Sequence, residues 1–375
     1  MQAPNCKALI IGGGFSGMAA AIQLRKTNIA VDLVELDKDW RSYGAGITIS
    51  GPSLRALGEL GVLDSIVELG WCADGCDMHT ADGTFISQLP TPRIAGEHIP
   101  GGGAIMRPVL AKILAKATLG SGTQVRLGCT FTKIEQDGSK VQVSFTDHTR
   151  GEYDLVIGAD GVFSKVRQTL FPTAPKPFYT GQGVWRAVVP RGEVPRSSMF
   201  LGKQSKTGVN PVSKDEMYLF LNDIRPQLTY VEDNQAVPML KQLLEEFTAP
   251  LLKDAIASLG TNSKVIYRPL EGMLMPLPWA TGNVLLIGDA VHATTPHLAS
   301  GAGIGIEDGI VVAQELANAS NVADALASFQ SRRWERCRLV VESSMRLGEI
   351  EMSGGSKEEH GRVMREAMKT LLQPI

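Results

Sequence analysis

The sequence predicts an α/β fold, in which a parallel sheet with helices is interrupted by an inserted β-sheet and followed by C-terminal helices. Three observations predict it. A short apolar run, Lys7 to Ile11, stops at glycines and leads into a helix-forming stretch. Several β-rich segments with turn residues between them follow Pro172. A buried strand returns at 283–287, and residues 303–347 are mostly helix-forming.

The bulk composition is that of a globular protein. Its 375 residues are 43% apolar and 20% charged, with a formal net charge of -2. No Lys/Arg block is present, so we expect no nucleic-acid partner. The N-terminus lacks a signal-peptide pattern, and apolar runs such as 284–287 are too short to span a membrane. We therefore expect a cytoplasmic protein without a membrane partner, as a monomer or homodimer.

The cysteines predict neither disulfides nor a metal site. Five cysteines are an odd number without regular spacing. Cys72 and Cys76 have only His79 nearby, and a metal site needs more ligands than these. We therefore expect no metal.

The elements follow in a definite order. Helix 14–26 and strand 31–35 complete a βαβ unit with the first strand. The further predicted helices are 52–61, 108–119, 240–259 and 357–372, the last after a flexible break at 353–356; the further predicted strands are a pair within 125–145 and the segments 154–157, 184–189, 216–221 and 265–270. We expect a first domain from residues 1–172 and 271–350, an inserted sheet domain at 173–270, and a C-terminal helix within 351–375.

The run Gly12-Gly13-Gly14-Phe15-Ser16-Gly17 fits the pattern GxGxxG between a strand and a helix. Gly12 permits a tight turn, Gly14 lets a pyrophosphate approach the backbone, and Gly17 lets helix and strand pack closely. Glu35, at the end of the next strand, can accept hydrogen bonds from ribose hydroxyls. The pattern predicts dinucleotide binding; the alternative is a glycine-rich turn without a ligand.

Two distant segments repeat the arrangement of a buried strand that ends in a Gly/Asp turn. The first runs from Asp154 through Asp160-Gly161 to Arg167, and the second runs from Gly288-Asp289 to Pro296. Backbone amides in such turns can face a ligand. The alternative is an ordinary turn with an Asp cap.

These three motifs, in this order, resemble the fingerprints of the flavoprotein aromatic hydroxylases over about residues 5–350. That family includes 4-hydroxybenzoate, salicylate and 6-hydroxynicotinate monooxygenases. The resemblance implies a Rossmann-like FAD-binding domain with an inserted β-sheet substrate domain, FAD as cofactor, NADH or NADPH as a transient reductant, and O2 as co-substrate. No second GxGxxG unit is present to house the nicotinamide nucleotide, as in that family.

The resemblance also implies roles for residues around the flavin. Asp289 would hold the ribityl chain, and Pro296 would edge the site where O2 meets the flavin. A helix opening with Gly301, Ala302 and Gly303 would face the flavin N1 and C2 carbonyl. A helix N-terminus favours the negative charge of reduced flavin there.

Three further residues match cofactor-binding positions of the family. Arg41 and Arg107 match arginines near FAD, and Asp160 would lie near the pyrophosphate and the nicotinamide route. For the arginines the alternative is a surface salt bridge, and for Asp160 it is a helix cap.

In the family, NAD(P)H reduces FAD, O2 adds at C4a to form a hydroperoxide, and an electron-rich ring attacks it. Ionisation of a ring hydroxyl helps, so a base or proton path is expected. In 6-hydroxynicotinate monooxygenase a histidine follows the Gly-Ala-Gly-Ile run, but Thr48 stands there in this chain. His297, beside Pro296, is a candidate for proton handling or substrate contact, and structural packing is its alternative.

The inserted sheet carries the candidate substrate-binding residues. Arg186 and Tyr218 match positions that pyridine-acid oxygenases use near the ring and its carboxylate, and Lys206 stands where a related oxygenase has arginine. The alternative for each is a sheet-surface residue. The resemblance thus implies a monooxygenase of aromatic catabolism that hydroxylates an acidic aromatic or N-heteroaromatic ring. A same-fold FAD reductase, a non-enzymatic FAD-fold carrier, or a monooxygenase of larger polycyclic rings remain alternatives.

Overall fold

The computed structural model describes residues 6–42, 44–203, 205–261 and 263–375. The strands are β1 (Lys7–Ile11), β2 (Ala30–Glu35), β3 (Gly46–Ser50), β4 (Trp71–Ala73), β5 (Cys76–Thr80), β6 (Phe85–Leu89), β7 (Gly102–Met106), β8 (Gln124–Leu127), β9 (Phe131–Gln136), β10 (Val141–Phe145), β11 (Arg150–Tyr153), β12 (Leu155–Gly158), β13 (Phe178–Pro190), β14 (Ser197–Leu201), β15 (Lys206–Pro211), β16 (Glu216–Ile224), β17 (Val265–Leu274), β18 (Ala280–Thr281) and β19 (Val284–Leu286).

The helices connect these strands and form the end of the chain. They are α1 (Phe15–Lys26), α2 (Gly51–Leu60), α3 (Leu63–Leu69), α4 (Arg107–Gly120), α5 (Lys165–Leu170), α6 (Asp233–Leu243), α7 (Pro250–Ser258), α8 (Asp289–His292), α9 (Gly301–Asn318), α10 (Val322–Ser353) and α11 (Lys357–Leu372), with a 3-10 helix at Pro296–Leu298. Within the described residues, no helix combines the length and the apolar character needed to cross a bilayer.

A six-stranded sheet with the order β18-β19-β12-β1-β2-β8 forms the first layer. Strand β1 pairs in parallel with both β2 and β12, and β12 pairs in parallel with β19. These strands are apolar and almost wholly buried, as expected for a parallel sheet covered on both faces. The predicted α/β fold and its βαβ unit are confirmed.

Glycines let the first helix pack very closely on its neighbours. A Cβ added to Gly17 in α1 would overlap the carbonyl oxygen of Gly12, and one added to Gly309 in α9 would overlap the backbone nitrogen of Ala20. The close contact between α1 and α9 brings the start of α9 near the glycine-rich loop after β1. The N-termini of α1 and α9 therefore lie close together.

A seven-stranded sheet with the order β17-β13-β16-β15-β14-β5-β6 forms the second layer. Strand β13 is antiparallel to both β16 and β17. The last two strands at one side of this sheet, β5 and β6, come from residues 76–89, and β17 at the other edge continues to Leu274. The sheet is therefore wider than the predicted inserted segment 173–270, and the domain limits stay a prediction.

Two predicted elements differ from the structure. The single helix predicted at 240–259 is wrong, because α6 and α7 are separate. The backbone N–H groups of Thr248 and Ala249 donate to the Ala81 carbonyl, and Pro250 begins α7 with no N–H to donate. Segment 125–145 contains the predicted pair as β9 and β10, but its start belongs to β8, which joins β2 in the first sheet.

The last helix occupies its predicted range, and its flanks explain the break before it. Gly354 ends α10 with a left-handed φ of 63°, which glycine adopts easily. The hydroxyl of Ser356 then accepts a hydrogen bond from the N–H of Glu359 and caps α11.

A buried charge network fixes the middle of α9. Asp308 accepts hydrogen bonds from His292 (2.6 Å), Arg333 (2.8 Å) and the Gly288 N–H (2.8 Å). Glu307 pairs with Arg333 and with Arg336. Burial alone would raise the pKa of Asp308, but His292 and Arg333 hold that pKa at about 2.

The same network contains a possible ligand set for a metal. His292, Asp308 and Cys337 place ligand atoms within 4.8 Å of one another. The guanidinium of Arg333 already occupies the Asp308 carboxylate, so a cation would meet a fixed positive charge. We interpret the group as part of the ion-pair network, and the absence of a metal stays a prediction.

Candidate active site

A cavity of about 1080 Å³ is lined by the loop after β1, the start of α9, strands β13, β15, β16 and β17, and helix α11. Such a volume is at the upper end for a ligand site and suits two ring systems together. The predicted residues that line it are Gly14, Phe15, Ser16, Arg107, Arg186, Lys206, Tyr218, Asp289, Pro296, His297, Gly301, Ala302 and Gly303. Those that do not line it are Gly12, Gly17, Glu35, Arg41 and Asp160.

The glycine-rich loop leaves space for a ligand at one position. Gly12 has a φ of 110°, and a Cβ there would overlap the Ala159 carbonyl, so this glycine shapes the turn. A Cβ on Gly14 would meet nothing within 4 Å. Gly14 therefore keeps open a space that a diphosphate would fill next to the backbone of α1.

The start of α9 presents unpaired backbone donors to the cavity. The N–H groups of Gly301, Ala302 and Gly303 have no acceptor within the helix, as at every helix N-terminus. Ser300, which precedes them, makes no side-chain cap. The arrangement favours a ligand with negative charge.

Two opposite charges also face the cavity without a partner. No hydrogen bond or ion pair engages the side chain of Asp289 or Arg107 within the described residues. Burial lowers the pKa of Arg107, and Asp289 opposes that change. Arg107 also lies 4.8 Å from the Phe15 ring centroid. A carboxylate and a guanidinium held in this way are suited to a polar cofactor chain.

The other three predicted cofactor residues make contacts within the protein. Glu35 accepts hydrogen bonds from the N–H groups of Gly13 and Asp37, each at 2.7 Å. Arg41 forms ion pairs with Asp37 and Asp39, which is the alternative that the sequence left open.

Asp160 caps α5 through one carboxylate oxygen, which accepts from the N–H groups of Lys165 and Val166. Its other oxygen is buried without a hydrogen-bond partner. The helix-cap alternative is therefore present, and one acceptor remains available. Together with the open space at Gly14 and the free N-terminus of α9, this orphaned oxygen fits a bound FAD.

The predicted substrate residues lie on one face of the second sheet. The Tyr218 hydroxyl is 2.6 Å from the Thr48 hydroxyl, and burial raises the pKa of Tyr218. Gly46 leaves room for the tyrosine ring, which a Cβ there would overlap. Thr48, which replaces the histidine of a related enzyme, thus orients a phenol.

On this face, Arg186 is a half-buried cation with no acidic partner among the described residues. Burial lowers the pKa of its guanidinium, and Tyr218 opposes that change. Within the described residues, no hydrogen bond or ion pair engages the Arg186 side chain. A buried guanidinium left unpaired costs free energy unless a ligand satisfies it.

Lys206 lines the same cavity but is already paired. Its ammonium lies 2.5 Å from the Glu351 carboxylate at the end of α10. His297 approaches the same carboxylate, with its Nε2 3.3 Å from Oε2, and its Nδ1 lies 2.8 Å from the Thr295 hydroxyl. His360 from α11 completes the group at 3.1 Å. The geometry thus separates Lys206 from the free cation Arg186.

Sequence reasoning missed Glu351 and the contribution of α11 to the cavity. Glu351 lies 145 residues after Lys206, and no motif marks it. Its position at the last turn of an amphipathic helix resembles that of an ordinary surface acid.

Comparison with known proteins shows one family model that matches the chain. The model described as the FAD binding domain matches residues 5–344.

Several relatives match most of the chain. The Bacillus subtilis protein YetM is 29% identical over 96% of this chain and 98% of that one. The 2-heptyl-3-hydroxy-4(1H)-quinolone synthase of Pseudomonas aeruginosa is 29% identical over 91% of this chain and 88% of that one. The FAD-dependent urate hydroxylase of Klebsiella oxytoca is 28% identical over 89% of this chain and 88% of that one.

Solved structures share the fold. Klebsiella pneumoniae HpxO complexed with FAD and uric acid has a TM-score of 0.83 and 23% identity, covering 99% of this chain and 96% of that one. A tetrameric form of 2-methyl-3-hydroxypyridine-5-carboxylic acid oxygenase has a TM-score of 0.77 and 23% identity, covering 93% of each. The oligomeric state of the present chain stays a prediction.

Proposed function

The chain belongs to the FAD binding domain family, and we propose that it is an FAD-dependent monooxygenase that hydroxylates an acidic aromatic or N-heteroaromatic ring, with NADH or NADPH as the reductant. The observation that carries the substrate class is the half-buried guanidinium of Arg186, which lines the cavity without an acidic partner among the described residues. Two relatives, named as a quinolone synthase and a urate hydroxylase, support this reaction class.

The half of the cavity next to the first sheet would hold FAD. Gly14 and the α1 N-terminus would receive the diphosphate, and Asp289 would accept hydrogen bonds from the ribityl hydroxyls. The N–H groups at the start of α9 would face the ring system. Held by these residues, FAD would supply the redox chemistry that connects the nicotinamide, O2 and the ring.

The half next to the second sheet would hold the ring. The planar fork of Arg186 matches both oxygens of a carboxylate, or the O–C–N edge of an ionised lactam. The Tyr218 hydroxyl, held by Thr48, can bond a ring substituent while its face packs on the ring. These residues orient the ring and keep water from it.

His297 would handle the proton of a ring hydroxyl. Burial and Lys206 lower the pKa of His297, so its imidazole is neutral near pH 7. The Thr295 hydroxyl holds Nδ1, and Nε2 lies 3.3 Å from the Glu351 carboxylate. A neutral imidazole can accept a proton, whereas Thr48 cannot.

The test is a panel of hydroxybenzoates, hydroxypyridine acids and uric acid, assayed for stimulated NADH and NADPH oxidation under ¹⁸O2. We expect one compound to accelerate oxidation and to gain one ¹⁸O atom. Accelerated oxidation with no labelled product, and H2O2 or a reduced product instead, would support the reductase alternative. A protein that does not retain FAD would support the carrier alternative.

A larger ring is the second candidate substrate, favoured by the cavity volume and by the quinolone-synthase relative. A neutral polycycle does not need Arg186. Including 4-hydroxyquinolones in the panel separates the two candidates. If the substrate is a larger ring, the quinolones should turn over faster than any single-ring acid.

A further inference from the structure

Three side chains from three different elements converge on the carboxylate of Glu351. Lys206 from β15 lies 2.5 Å from Oε1, and His360 from α11 lies 3.1 Å from the same oxygen. His297, from the 3-10 helix after Thr295, faces Oε2 at 3.3 Å. Glu351 itself is at the last turn of α10. One carboxylate therefore joins the cavity wall to both C-terminal helices.

The cluster extends from the cavity to the surface. The side chain of His297 is fully buried, that of Glu351 is 19% exposed, and that of His360 is 32% exposed. His297 and Thr295 line the cavity at the inner end. Groups with exchangeable protons thus lie in series from the cavity to the surface, with no hydrogen bond yet between His297 and Glu351.

The contacts of His297 fix the orientation of its imidazole ring. The Thr295 hydroxyl lies 2.8 Å from Nδ1, whereas Nε2 is buried and meets Glu351 within ion-pair distance but without an aligned hydrogen bond. Gly348, one turn before Glu351, lets the ring sit against α10, because a Cβ there would lie 3.0 Å from the imidazole Cε1. A small movement of the Glu351 side chain would close the last link.

The charges of the cluster suit transfer rather than storage of a proton. Burial raises the pKa of Glu351, but Lys206, His297 and His360 hold it well below its usual value. Glu351 is therefore ionised at rest, and Lys206 compensates its charge. For His297, burial and Lys206 lower the pKa, and Glu351 raises it.

We propose that Glu351 is a positioning residue that makes Thr295, His297 and His360 a proton path between the substrate cavity and solvent. The proposal rests on the proposed hydroxylation. The ring hydroxyl gives its proton to the Thr295 oxygen, and Thr295 gives its own to Nδ1 of His297. Nε2 passes a proton to Glu351, and His360 exchanges it with water. The ring is left as an anion, and no electrons are exchanged with the protein.

The orientation is tested by nitrogen NMR of ¹⁵N-histidine-labelled, FAD-loaded protein across the histidine titration range. We expect neutral His297 to carry its hydrogen on Nε2 alone. Glu351→Gln should lower the His297 pKa further and mix the two tautomers. The matched control is Glu349→Gln, on the same helix, where Glu349 forms an ion pair with the exposed residue Arg346. A His297 spectrum equally unchanged in both variants would overturn the proposal.

The path is tested by kinetics with the panel compound that is hydroxylated fastest. Glu351→Gln and His360→Asn should each lower kcat roughly tenfold or more, since proton transfer by positioned groups contributes about 10²–10⁴-fold. His360→Asn leaves the Lys206 pair intact, so its KM should stay unchanged, and added imidazole buffer should restore its kcat.

The two arms separate the inference from the proposed function. If His360→Asn and Glu349→Gln give the same kcat and the same pH profile, the path is wrong although the enzyme is a hydroxylase. If no panel compound is hydroxylated, the proposed function fails, and the His297 tautomer in Glu351→Gln still decides whether Glu351 positions the imidazole.

Discussion

The buried charges around α9 and the charges that face the cavity are arranged in opposite ways. In α9, Asp308 and Glu307 form ion pairs with His292, Arg333 and Arg336. In the cavity, Arg186, Arg107 and Asp289 have no hydrogen-bond or ion-pair partner in the described part of the chain. Because leaving a buried charge unpaired is costly, the first set serves the fold, whereas the half-buried Arg186 and Arg107 and the exposed Asp289 remain available to ligands.

The largest expected effect is on the paired set. Asp308→Ala leaves the Arg333 guanidinium and the Gly288 N–H without their acceptor, and removing one partner of a buried ion pair costs about 3–5 kcal/mol. Denaturant unfolding should therefore show a much lower midpoint. The control, Glu366→Gln, removes an exposed partner of Arg362 and should leave the midpoint unchanged. Equal midpoints in the two variants would contradict the structural role.

The same carboxylate makes stability depend on pH. The pKa of Asp308 is lowered from its ordinary 3.8 to about 2 in the folded state, so the unfolded state binds its proton first as the pH falls. The stabilisation is present above the unfolded pKa and is lost between these values, by about 2 kcal/mol. The difference in unfolding free energy between wild type and Asp308→Asn should shrink over that interval; a constant difference would show that Asp308 does not titrate there.

The sequence predicted those elements of the fold that depend on local sequence pattern. The strand, glycine-rich loop and helix at the N-terminus follow from residue order, because nearby backbone atoms exclude a Cβ at Gly12 and at Gly17. The helix predicted at 240–259 was wrong because the carbonyl of Ala81, far away in the chain, takes the N–H groups that would have continued it. Glu351 was missed for the same reason: its partners Lys206 and His297 come from distant elements.

The site residues show the same limit. Arg186 was predicted together with Lys206, and the types of the two residues do not distinguish a free cation from a paired one. Only the folded chain shows that Lys206 meets Glu351 and that, among the described residues, Arg186 meets no acid. Their roles in binding stay predictions, and the Arg186→Met variant below tests that of Arg186.

Gly17, in the first turn of α1, and Gly14, in the loop before it, are expected to have different roles. The first serves the fold and the second serves cofactor binding. Gly17→Ala forces a side chain onto the Gly12 carbonyl and should destabilise the protein itself, by about 1–3 kcal/mol for such overpacking. Gly14→Ala enters open space and should leave unfolding of the FAD-free protein unchanged while weakening FAD retention. Calorimetry without FAD and flavin fluorescence on titration measure the two effects. Loss of stability in Gly14→Ala would contradict the assignment.

A smaller effect is expected at the unpaired carboxylate. Asp289→Asn keeps the shape but loses the charge that strengthens hydrogen bonds to ribityl hydroxyls. The dissociation constant for FAD should rise about tenfold, equivalent to about 1.4 kcal/mol. Asp254→Asn, which changes an exposed acid of α7 outside the cavity, is the control. If FAD binds both variants equally well, Asp289 does not hold the cofactor.

The most direct test of the comparison measures stability and binding in one variant, Arg186→Met. Replacing an unpaired guanidinium by an apolar chain of similar length should leave the unfolding free energy unchanged or raise it. The KM for the acidic panel substrate should rise roughly tenfold or more, since hydrogen bonds to charged groups contribute about 1.5–3 kcal/mol, while inhibition by the neutral amide analogue should not change. A variant that unfolds more easily and binds the acid and the amide as wild type does would contradict the account.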